Sequence, residues 1–398
     1  MKRLISVFFL AALLLSAVTP AVFADETVTI NFYNWGQYIA DGTDDSLDVI
    51  EAFEEAYPNI KVNYMTFDSN ESMYTKLKAG GSAFDVIIPS DYMVQKLIEE
   101  DMLETLDFSN IPNYEYIDES FRNLSYDPDN LYSVPYTWGC VGVIYNTKYV
   151  DEADIGGWEL LWNEKYAGKI LMFDNPRDSF AIAQLELGFD INTEDSTLLT
   201  LSANKLREQK PLVQSYVMDQ IFDKMQRAEA WIAPYYAGDY LTMVEENPDL
   251  AFYLPNEGFN LFVDAICIPK GCEHKKEAET FINFLLSPEI CGQNLEYLGY
   301  SAPSSAAKEY MDPELAANPI AYPDENTLAL GSAFTSLSLT GTQEMNNLWL
   351  TVKTADSSTT VYLILTAAAI VLIVFFWLFY KVRRKRRKAR RCRKWKNV

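Results

Sequence analysis

The order of short apolar segments between residues 27 and 100 restricts the possible folds more than any other feature of this 398-residue chain. Three β-rich stretches alternate with three stretches that have apolar residues at helical spacing, and this order predicts an open α/β sheet flanked by helices. In such sheets ligands bind beyond the carboxyl ends of the strands, so residues that follow the strands are the first candidates for a binding site. The predicted strands are 27–33, 60–64 and 84–88, and the predicted helices are 48–56, 69–80 and 92–100.

A second series of strands and helices follows, and it includes one strand long enough to run between two domains. About 330 residues remain when the two terminal segments, 1–24 and 359–398, are set aside. This length exceeds the usual size of one hydrophobic core, so it favours two domains. The crossing strand is expected at 259–268. The other predicted strands are 141–145 and 169–173, and the other predicted helices are 179–187, 194–208, 275–286 and 288–298.

The first 24 residues have the three parts of a secretory signal peptide. Lys2 and Arg3 precede an apolar stretch, and the small residues of 21–24 offer a cleavage site before Asp25. No cysteine lies near this site, which argues against a lipid-modified amino terminus. The sequence therefore predicts that residues 1–24 are a signal peptide and that the mature chain is exported.

An uncharged apolar segment near the other end, 359–380, has the length of a membrane span. A helix of this length rises roughly 33 Å, close to the hydrocarbon core of about 30 Å. Twelve of the last 18 residues are Lys or Arg, and the positive-inside rule places such a tail in the cytoplasm. We expect a single-pass protein of the cell membrane, with a transmembrane helix at 359–380, a basic cytoplasmic tail at 381–398 and the binding domain outside the cell.

Charge is divided unevenly between the ends and the middle of the chain. All 56 acidic residues lie between the two end segments, whereas 14 of the 33 basic residues lie within them. The middle therefore has a formal net charge of −37, against −23 for the whole chain. Such a field repels nucleic acids and attracts cations. A soluble surface also needs charge, so the field favours a cationic ligand without identifying it.

The cysteine and histidine content limits the chemistry that is available to the chain. Cys140, Cys267, Cys272 and Cys291 form no C-x-x-C pair, and they either pair in one of three ways or are buried free thiols. His274 is the only histidine, which excludes histidine-based catalytic triads and histidine-rich metal sites. We expect no cofactor and no bound metal.

Eight segments resemble the spermidine/putrescine-binding proteins of bacterial ABC transporters, in both order and spacing. FYNWGQY at 32–38, DVIIPSDY at 85–92, FDNPRD at 173–178 and VDAICIP at 263–269 are four of them. The others are 69–77, 133–139, 281–286 and 298–300. The resemblance covers nearly all of residues 27–330.

This resemblance implies an α/β fold of the two-lobed periplasmic-binding-protein kind (type II). Each lobe would be an open mixed sheet flanked by helices, and the ligand cleft would lie between the lobes. The implied domains are 25–137 and 265–330 for lobe 1, 138–264 for lobe 2, and 331–358 for a C-terminal helical segment and tether.

The resemblance also implies a ligand site, by matching position. Asn175 stands where the best-known spermidine binder has an aspartate, and Tyr236 and Phe262 stand where it has tryptophans. The preference among spermidine, putrescine and longer amines therefore stays open. The implied site residues are Trp35, Tyr38, Ser90, Tyr92, Asn175, Asp178, Tyr236, Phe262, Asp264 and Tyr300.

These residue types suit a polyamine, which is a flexible methylene chain between ammonium groups. Carboxylates pair with the ammonium groups, and aromatic rings pack along the methylenes. Asp178 could instead cap a helix, and Trp35 and Tyr38 could be ordinary core residues. Asp264 lies inside an apolar strand, where an unpaired carboxylate is costly, so it needs a cationic or hydrogen-bonding partner. We place Asp91 on the rim of the cleft.

We therefore expect an extracellular substrate-binding receptor, monomeric and not an enzyme. It would capture spermidine or putrescine and deliver it to an ABC transporter permease with its ATPase. A sensor is also possible, although the 18-residue tail is too short for a signalling domain.

Two alternatives belong to other classes of function. A receptor for another small solute such as ferric ion is possible, because Tyr235–Tyr236 is similar to the paired tyrosines of some iron-binding relatives. Those relatives usually add ligands from lobe 1, often a histidine, whereas the single histidine of this chain, His274, is expected to be an exposed residue at the start of a helix. A glycosidase-like enzyme would also use carboxylates and aromatic rings, but no catalytic carboxyl pair, nucleophile elbow or metal set is recognisable.

Overall fold

The computed structural model describes residues 27–80, 84–354, 372, 374, 375, 377 and 379–381. The predicted signal peptide, the end of the tether, and most of the predicted membrane helix and tail lie outside the described residues. Within the described part of the chain, no helix is long and apolar enough to cross a lipid bilayer.

The described elements alternate as the sequence predicts, and the α/β class is confirmed. A further helix begins at 339 and is described as far as 354. The strands are β1 (Val28–Trp35), β2 (Ile60–Phe67), β3 (Val86–Ile87), β4 (Ser133–Asn146), β5 (Ile170–Phe173), β6 (Val213–Val217), β7 (Ile232–Tyr236), β8 (Leu250–Tyr253), β9 (Phe259–Cys267) and β10 (Gly331–Ser332). The helices are α1 (Val49–Ala56), α2 (Asn70–Lys78), α3 (Asp91–Glu99), α4 (Pro176–Glu186), α5 (Ser196–Gln209), α6 (Ile221–Gln226), α7 (Ala237–Glu246), α8 (Lys275–Leu285), α9 (Pro288–Leu298), α10 (Pro313–Ala316) and α11 (Glu325–Leu328).

The amino-terminal strands form a parallel sheet. β1 pairs with β2 along its whole length and with β3 on its other side. The side chains of β1 alternate between two cores: Ile30 and Phe32 belong to a large core that continues through the molecule, and Tyr33 belongs to a smaller core under α2 and α3. Since both faces of the sheet are covered, only the carboxyl ends of the strands stay open to a ligand.

Two long strands join the halves of the sheet. β4 and β9 pair in antiparallel fashion from Ser133↔Cys267 to Cys140↔Leu261. β9 also pairs with β3, while the distal half of β4 pairs with β7 and β8. The resulting strand order is β2-β1-β3-β9-β4-β7-β5-β6. We call the half built on β1–β3 lobe 1 and the half built on β5–β7 lobe 2.

The predicted crossing strand at 259–268 is confirmed as β9. β4 is a second strand that runs between the lobes, and the predicted strand at 141–145 corresponds to only part of it. All but one of the residues of β4 are buried, because the strand lies between β9 and β7 in the middle of the sheet. The residues at which one lobe ends and the other begins stay a prediction, since both strands run through both halves. Of the cysteines that the structure describes, all four are free thiols and three are buried.

Residues 333–338, which we call the strap, connect β10 to the C-terminal helix at 339–354 and bind both lobes. On the lobe 1 side, the Ser336 backbone N–H donates to Gln95 Oε1 of α3 at 2.9 Å. On the lobe 2 side, the Thr335 backbone N–H donates to Asn192 Oδ1 at 2.9 Å, and the Thr335 carbonyl accepts from Arg177 Nη2 at 3.0 Å. The segment predicted as helical from 331 therefore begins with β10 and the strap.

Candidate ligand-binding site

A cleft lies between the two lobes and encloses about 810 Å³ of empty space, including its open mouth. All ten residues predicted for the ligand site line this cleft. The remaining lining residues are Gly36, Gln37, Asp68, Ser69, Asn70, Glu71, Met218, Asp219, Phe222, Tyr235, Asp239, Asn260 and Phe334.

Lobe 1 contributes residues from the carboxyl ends of its parallel strands. Trp35 is the last residue of β1, Asp68 follows β2, and Ser90 lies three residues after β3. The Trp35 indole N–H donates to the Ile88 carbonyl at 2.8 Å, which holds the ring against the neighbouring strand end. The placement follows from the topology, because parallel strands end on the same edge of their sheet.

Asp264 is the most deeply buried acid whose carboxylate faces the cleft from the crossing strands. Its side chain is 5% exposed. Oδ2 accepts a hydrogen bond from the Tyr38 hydroxyl at 2.6 Å, whereas Oδ1 has no hydrogen-bond partner among the described residues. Burial raises the pKa of Asp264 to about 6, and interactions with the Tyr38 and Ser90 hydroxyl groups oppose that rise. One half of this carboxyl group is thus left for a donor that the described chain does not supply.

Asp178 lies in the first turn of α4 and is not the residue that caps this helix. Asn175 is the cap: its Oδ1 accepts the Asp178 backbone N–H at 2.8 Å. The Asp178 carboxylate faces the cleft and accepts from Asn175 Nδ2 at 2.7 Å and from the Tyr236 hydroxyl at 3.1 Å. Burial raises its pKa to about 6, and the Asn175 hydrogen bond opposes the rise.

Asp239 is a third acid of the cleft, is partly buried, and was missed by the sequence analysis. It lies in the first turn of α7, directly after β7, and it interacts with the Tyr300 hydroxyl. Burial raises its pKa to about 8. The sequence did contain a signal for Asp239 as a site residue, because this acid comes three residues after the Tyr235–Tyr236 pair. It was missed because no strand ending at Tyr236 was predicted.

Tyr300 packs closely on α7 because position 238 is a glycine. A Cβ atom added to Gly238 would lie 2.3 Å from the Tyr300 ring, which is well inside contact distance. The ring therefore lies directly on the helix backbone and reaches Asp239.

Aromatic rings connect the acids along one wall of the cleft. The ring centroid of Phe262 lies 5.4 Å from that of Tyr236 and 6.4 Å from that of Tyr300, and both pairs of rings meet edge to face. Tyr300 in turn meets Tyr38 at 5.2 Å, also edge to face. The wall runs from Tyr38, whose hydroxyl binds Asp264, to Tyr236, whose hydroxyl binds Asp178.

Tyr92 belongs to a polar network on the opposite side. Its hydroxyl donates to Glu71 Oε1 at 3.0 Å and accepts from Asn70 Nδ2 at 3.1 Å. The side-chain amide of Asn70 also binds Ser90: Oδ1 accepts the Ser90 backbone N–H, and Nδ2 donates to the Ser90 hydroxyl. Burial raises the pKa of Glu71, so a fourth carboxyl group lies in a poorly solvated position.

The prediction that Asp91 lies on the rim is wrong. Its side chain is 3% exposed and is not part of the cleft lining. It points inward from the start of α3, where Oδ1 accepts the Tyr92 backbone N–H at 2.7 Å and Oδ2 accepts the Val263 backbone N–H at 3.4 Å. Packing of α3 against β9 covers this carboxyl group and places it behind Asp264.

The lobes approach each other closely at the mouth. A Cβ atom on Gly36, which follows β1, would lie 2.6 Å from Asp219 Oδ2 of lobe 2. Asp68 and Asp219 are both exposed, and partial burial together with the charge of Asp68 raises the pKa of Asp219. The lobes are therefore closed around the cleft in this structure.

The lining as a whole suits a cation with an apolar body. Among the residues that the structure describes, it contains six acidic side chains and no Lys or Arg. Among the described residues, the one group of three side chains spaced to hold a metal is Glu159, Glu186 and Glu257, which is outside the cleft lining. Lys205 already pairs with Glu186 at 3.0 Å.

Two lobes that share crossing strands and enclose a cleft lined from both sides define a receptor that closes around a small solute. The chain belongs to the bacterial extracellular solute-binding proteins, whose family model matches residues 48–323.

Several relatives within this family have names that state their ligands. The chain is 33% identical to the spermidine/putrescine-binding periplasmic protein of Escherichia coli K12, over 81% of this chain and 91% of that protein. It is 28% identical to a putrescine-binding periplasmic protein of the same organism, over 79% and 88% of the two chains.

Solved structures agree with these relatives. The substrate-binding protein of a spermidine/putrescine ABC transporter from Streptococcus pneumoniae is 37% identical and superposes with a TM-score of 0.69, over 82% of this chain and 98% of that chain. A Listeria monocytogenes chain assigned to a spermidine/putrescine ABC transporter is 36% identical, with a TM-score of 0.77 and the same coverage. The two-lobed periplasmic-binding-protein fold is therefore confirmed.

Proposed function

We propose that this protein is an extracellular receptor that captures polyamines, spermidine or putrescine, and delivers them to the permease of an ABC transporter. The observation that carries the proposal is the Asp264 carboxylate, which faces the cleft with one oxygen unpartnered by any described residue. A ligand ammonium group supplies the missing donor. The ligands named for the relatives support the same assignment.

The geometry suggests a role for each side of the cleft. Asp264, Asp178 and Asp239 pair with ammonium groups, since partial or full burial raises the carboxyl pKa of each and a nearby cation would lower it. Tyr236 and Phe262 pack along the methylenes, and their ring faces attract the cations. An anionic solute would meet six carboxyl groups without a lining cation to offset them.

Binding is tested by thermal unfolding of residues 25–354 in the presence of amines. A free ligand concentration a thousand times Kd adds about 4 kcal/mol to the free energy of unfolding. If binding is tight, millimolar spermidine or putrescine should therefore raise Tm by several degrees. Butane-1,4-diol, which has the length of putrescine without its charges, is the control and should leave Tm unchanged. An equal shift with the diol, or none with either amine, rules out the proposal.

Ferric ion is less compatible with the same cleft. Burial raises the pKa of both Tyr235 and Tyr236 well above the usual range, which disfavours the phenolate ligands that such a site needs. The Tyr236 hydroxyl also donates to Asp178, so it serves the carboxylate as a neutral phenol.

We further propose that the receptor is tethered beside its permease by the apolar segment 359–380, with the signal cut after Ala24 and the basic tail inside the cell. Residues 25–137 with 265–330, and 138–264, are the proposed lobes. A short tether raises the local receptor concentration to roughly millimolar, so a weak contact with the permease would suffice.

Deleting residues 359–398 should release active receptor into the medium and reduce uptake at scarce polyamine, because the local concentration at the permease is lost. Cell fractionation and uptake of labelled spermidine measure the two effects. A matched variant that lacks only the basic tail keeps the apolar segment and should stay with the cells. Retention of the 359–398 deletion on the cells would contradict the tether.

A further inference from the structure

Two buried acidic residues are brought together where the segment after β3 pairs with β9: Asp264 in the cleft lining and Asp91 behind it. Ser90 and Asp264 form an antiparallel bridge, and Asp91, the residue after Ser90, binds the backbone N–H of Val263, the residue before Asp264. Asp91 and Asp264 are 3% and 5% exposed. Only Asp264 belongs to the cleft lining, so Asp91 is close to the ligand site but out of contact with it.

The described surroundings give this pair hydrogen bonds but no counter-ion. Neither carboxylate has an ion pair within 4 Å among the described residues. The charge of Arg177 in α4 acts on Asp91 without an ion pair, and Arg177 Nη2 instead binds Asn192 and the strap. The titratable groups that face the pair from the neighbouring elements are Tyr38, Tyr126, Tyr136, Tyr236, Asp239, Tyr300 and Arg177.

Two interacting carboxylates without a counter-ion in a poorly solvated site do not both ionise at neutral pH. Burial, and then the charge of Asp264, raise the pKa of Asp91 to about 8. In the empty receptor the pair therefore holds one proton near pH 7. A ligand ammonium group at Asp264 adds the missing positive charge and favours the ionised form of both groups.

We propose that Asp91 holds this proton in the empty receptor and releases it when a cationic ligand pairs with Asp264, so that capture of the ligand is coupled to loss of a proton. The proton passes to the solvent of the cleft, and no covalent bond other than the O–H bond changes. The inference rests on the proposed polyamine function. It assigns to Asp91 a positioning and charge-setting role rather than direct contact with the ligand.

The direction of the pH dependence follows from this exchange. Below the pKa of the empty pair, binding must expel a proton, so affinity rises with pH and levels off above about 8, where the proton is already gone. Below about pH 8 the ligand keeps its charge, because alkyl ammonium groups titrate near pH 10 and repulsion between neighbouring ammonium groups lowers this by only about one to two units. One released proton corresponds to a tenfold fall in Kd per pH unit.

Titration calorimetry of the full-length protein with spermidine and putrescine between pH 5.5 and 8.5 tests the coupling. Measurement in two buffers of different ionisation enthalpy counts the protons. We expect up to one proton released per ligand near pH 7 in the wild type, and little or none there in Asp91→Asn. Binding without proton release in the wild type, or the same release in Asp91→Asn, overturns the inference.

Asp239 is the matched comparison, because it lines the cleft and its carboxyl pKa is likewise raised to about 8. Release that survives in Asp91→Asn and disappears in Asp239→Asn would assign the proton to Asp239 instead. If Asp91→Asn does not fold, infrared difference spectra recorded without and with ligand identify the acid that carries the proton. The two proteins to compare are the wild type and Asp239→Asn. The C=O band of a protonated carboxyl group should vanish on ligand addition in both, and its persistence overturns the inference. Absence of binding heat at every pH would instead refute the polyamine function itself.

Discussion

Asp264→Asn weakens polyamine binding by about 2–5 kcal/mol, or roughly 30- to 5,000-fold in Kd, because it removes one side of a desolvated charge pair. Calorimetry at fixed pH and salt measures this loss. Asn has nearly the same shape as Asp, and its Oδ1 can still accept from Tyr38, so the change isolates the charge of the carboxylate.

The same substitution should stabilise the empty receptor, which separates a binding role from a structural one. The pKa of Asp264 is raised to about 6, so the folded state holds a proton there that the unfolded chain, titrating near pH 4, has lost. Stability therefore falls as pH rises from about 4 to 6, and that loss is complete at pH 7. Asn has no charge to bury, so Tm without ligand should rise.

Asp129→Asn is the matched control, because Asp129 is exposed and lies outside the cleft lining. It removes the same charge from the receptor and should leave Kd nearly unchanged. Comparable losses in Asp129→Asn and Asp264→Asn would mean that the overall acidic field, rather than the Asp264 carboxylate, determines affinity.

Tyr236→Ala is expected to cost at least 2 kcal/mol of binding free energy, or about 30-fold in Kd, as for an aromatic residue at the centre of an interface. The change removes a ring that lies 5.4 Å from Phe262 and a hydroxyl that donates to Asp178 at 3.1 Å. Tyr236→Phe keeps the ring and removes only the hydroxyl, so it should cost about 0.5–1.5 kcal/mol.

The two Tyr236 variants also differ in their effect on Asp178. Without the hydroxyl, the Asp178 carboxylate loses a hydrogen bond that lowers its pKa, so the affinity of Tyr236→Phe should fall more steeply than that of the wild type as pH decreases toward 6. Equal losses in Tyr236→Phe and Tyr236→Ala would show that the ring does not pack along the ligand.

Much of lobe 1 follows from local signals. Asp48 and Ser69 cap α1 and α2, because their side chains accept hydrogen bonds from backbone N–H groups of the first helical turn. The period-two pattern of β1 separates Phe32 from Tyr33. Such features involve residues close in sequence, so they can be predicted without knowing the tertiary fold.

Asp91, which was predicted on the rim, and Asp239, which was not predicted, are both surrounded by residues from distant parts of the chain. Asp91 begins a helix, where an exposed acid is usual, but β9 covers it with Val263, 172 residues away. Asp239 faces the cleft because Tyr300 packs over Gly238. The ten site residues were placed by resemblance, which carries long-range information that the periodicity of one sequence lacks.

The topology of lobe 1 also has a consequence for the order of folding. β3 is one edge of the parallel sheet until β9 joins it at Ile87↔Cys267, and β9 is synthesised 180 residues later. Contacts this distant in sequence form slowly, so the first three strands stay incomplete while the rest of the chain emerges. The export that we propose for this chain requires it to cross the membrane before it folds. A long delay between β3 and β9 would keep the amino-terminal half unfolded for that passage, and it would leave an open strand edge that is prone to aggregation until lobe 1 is complete.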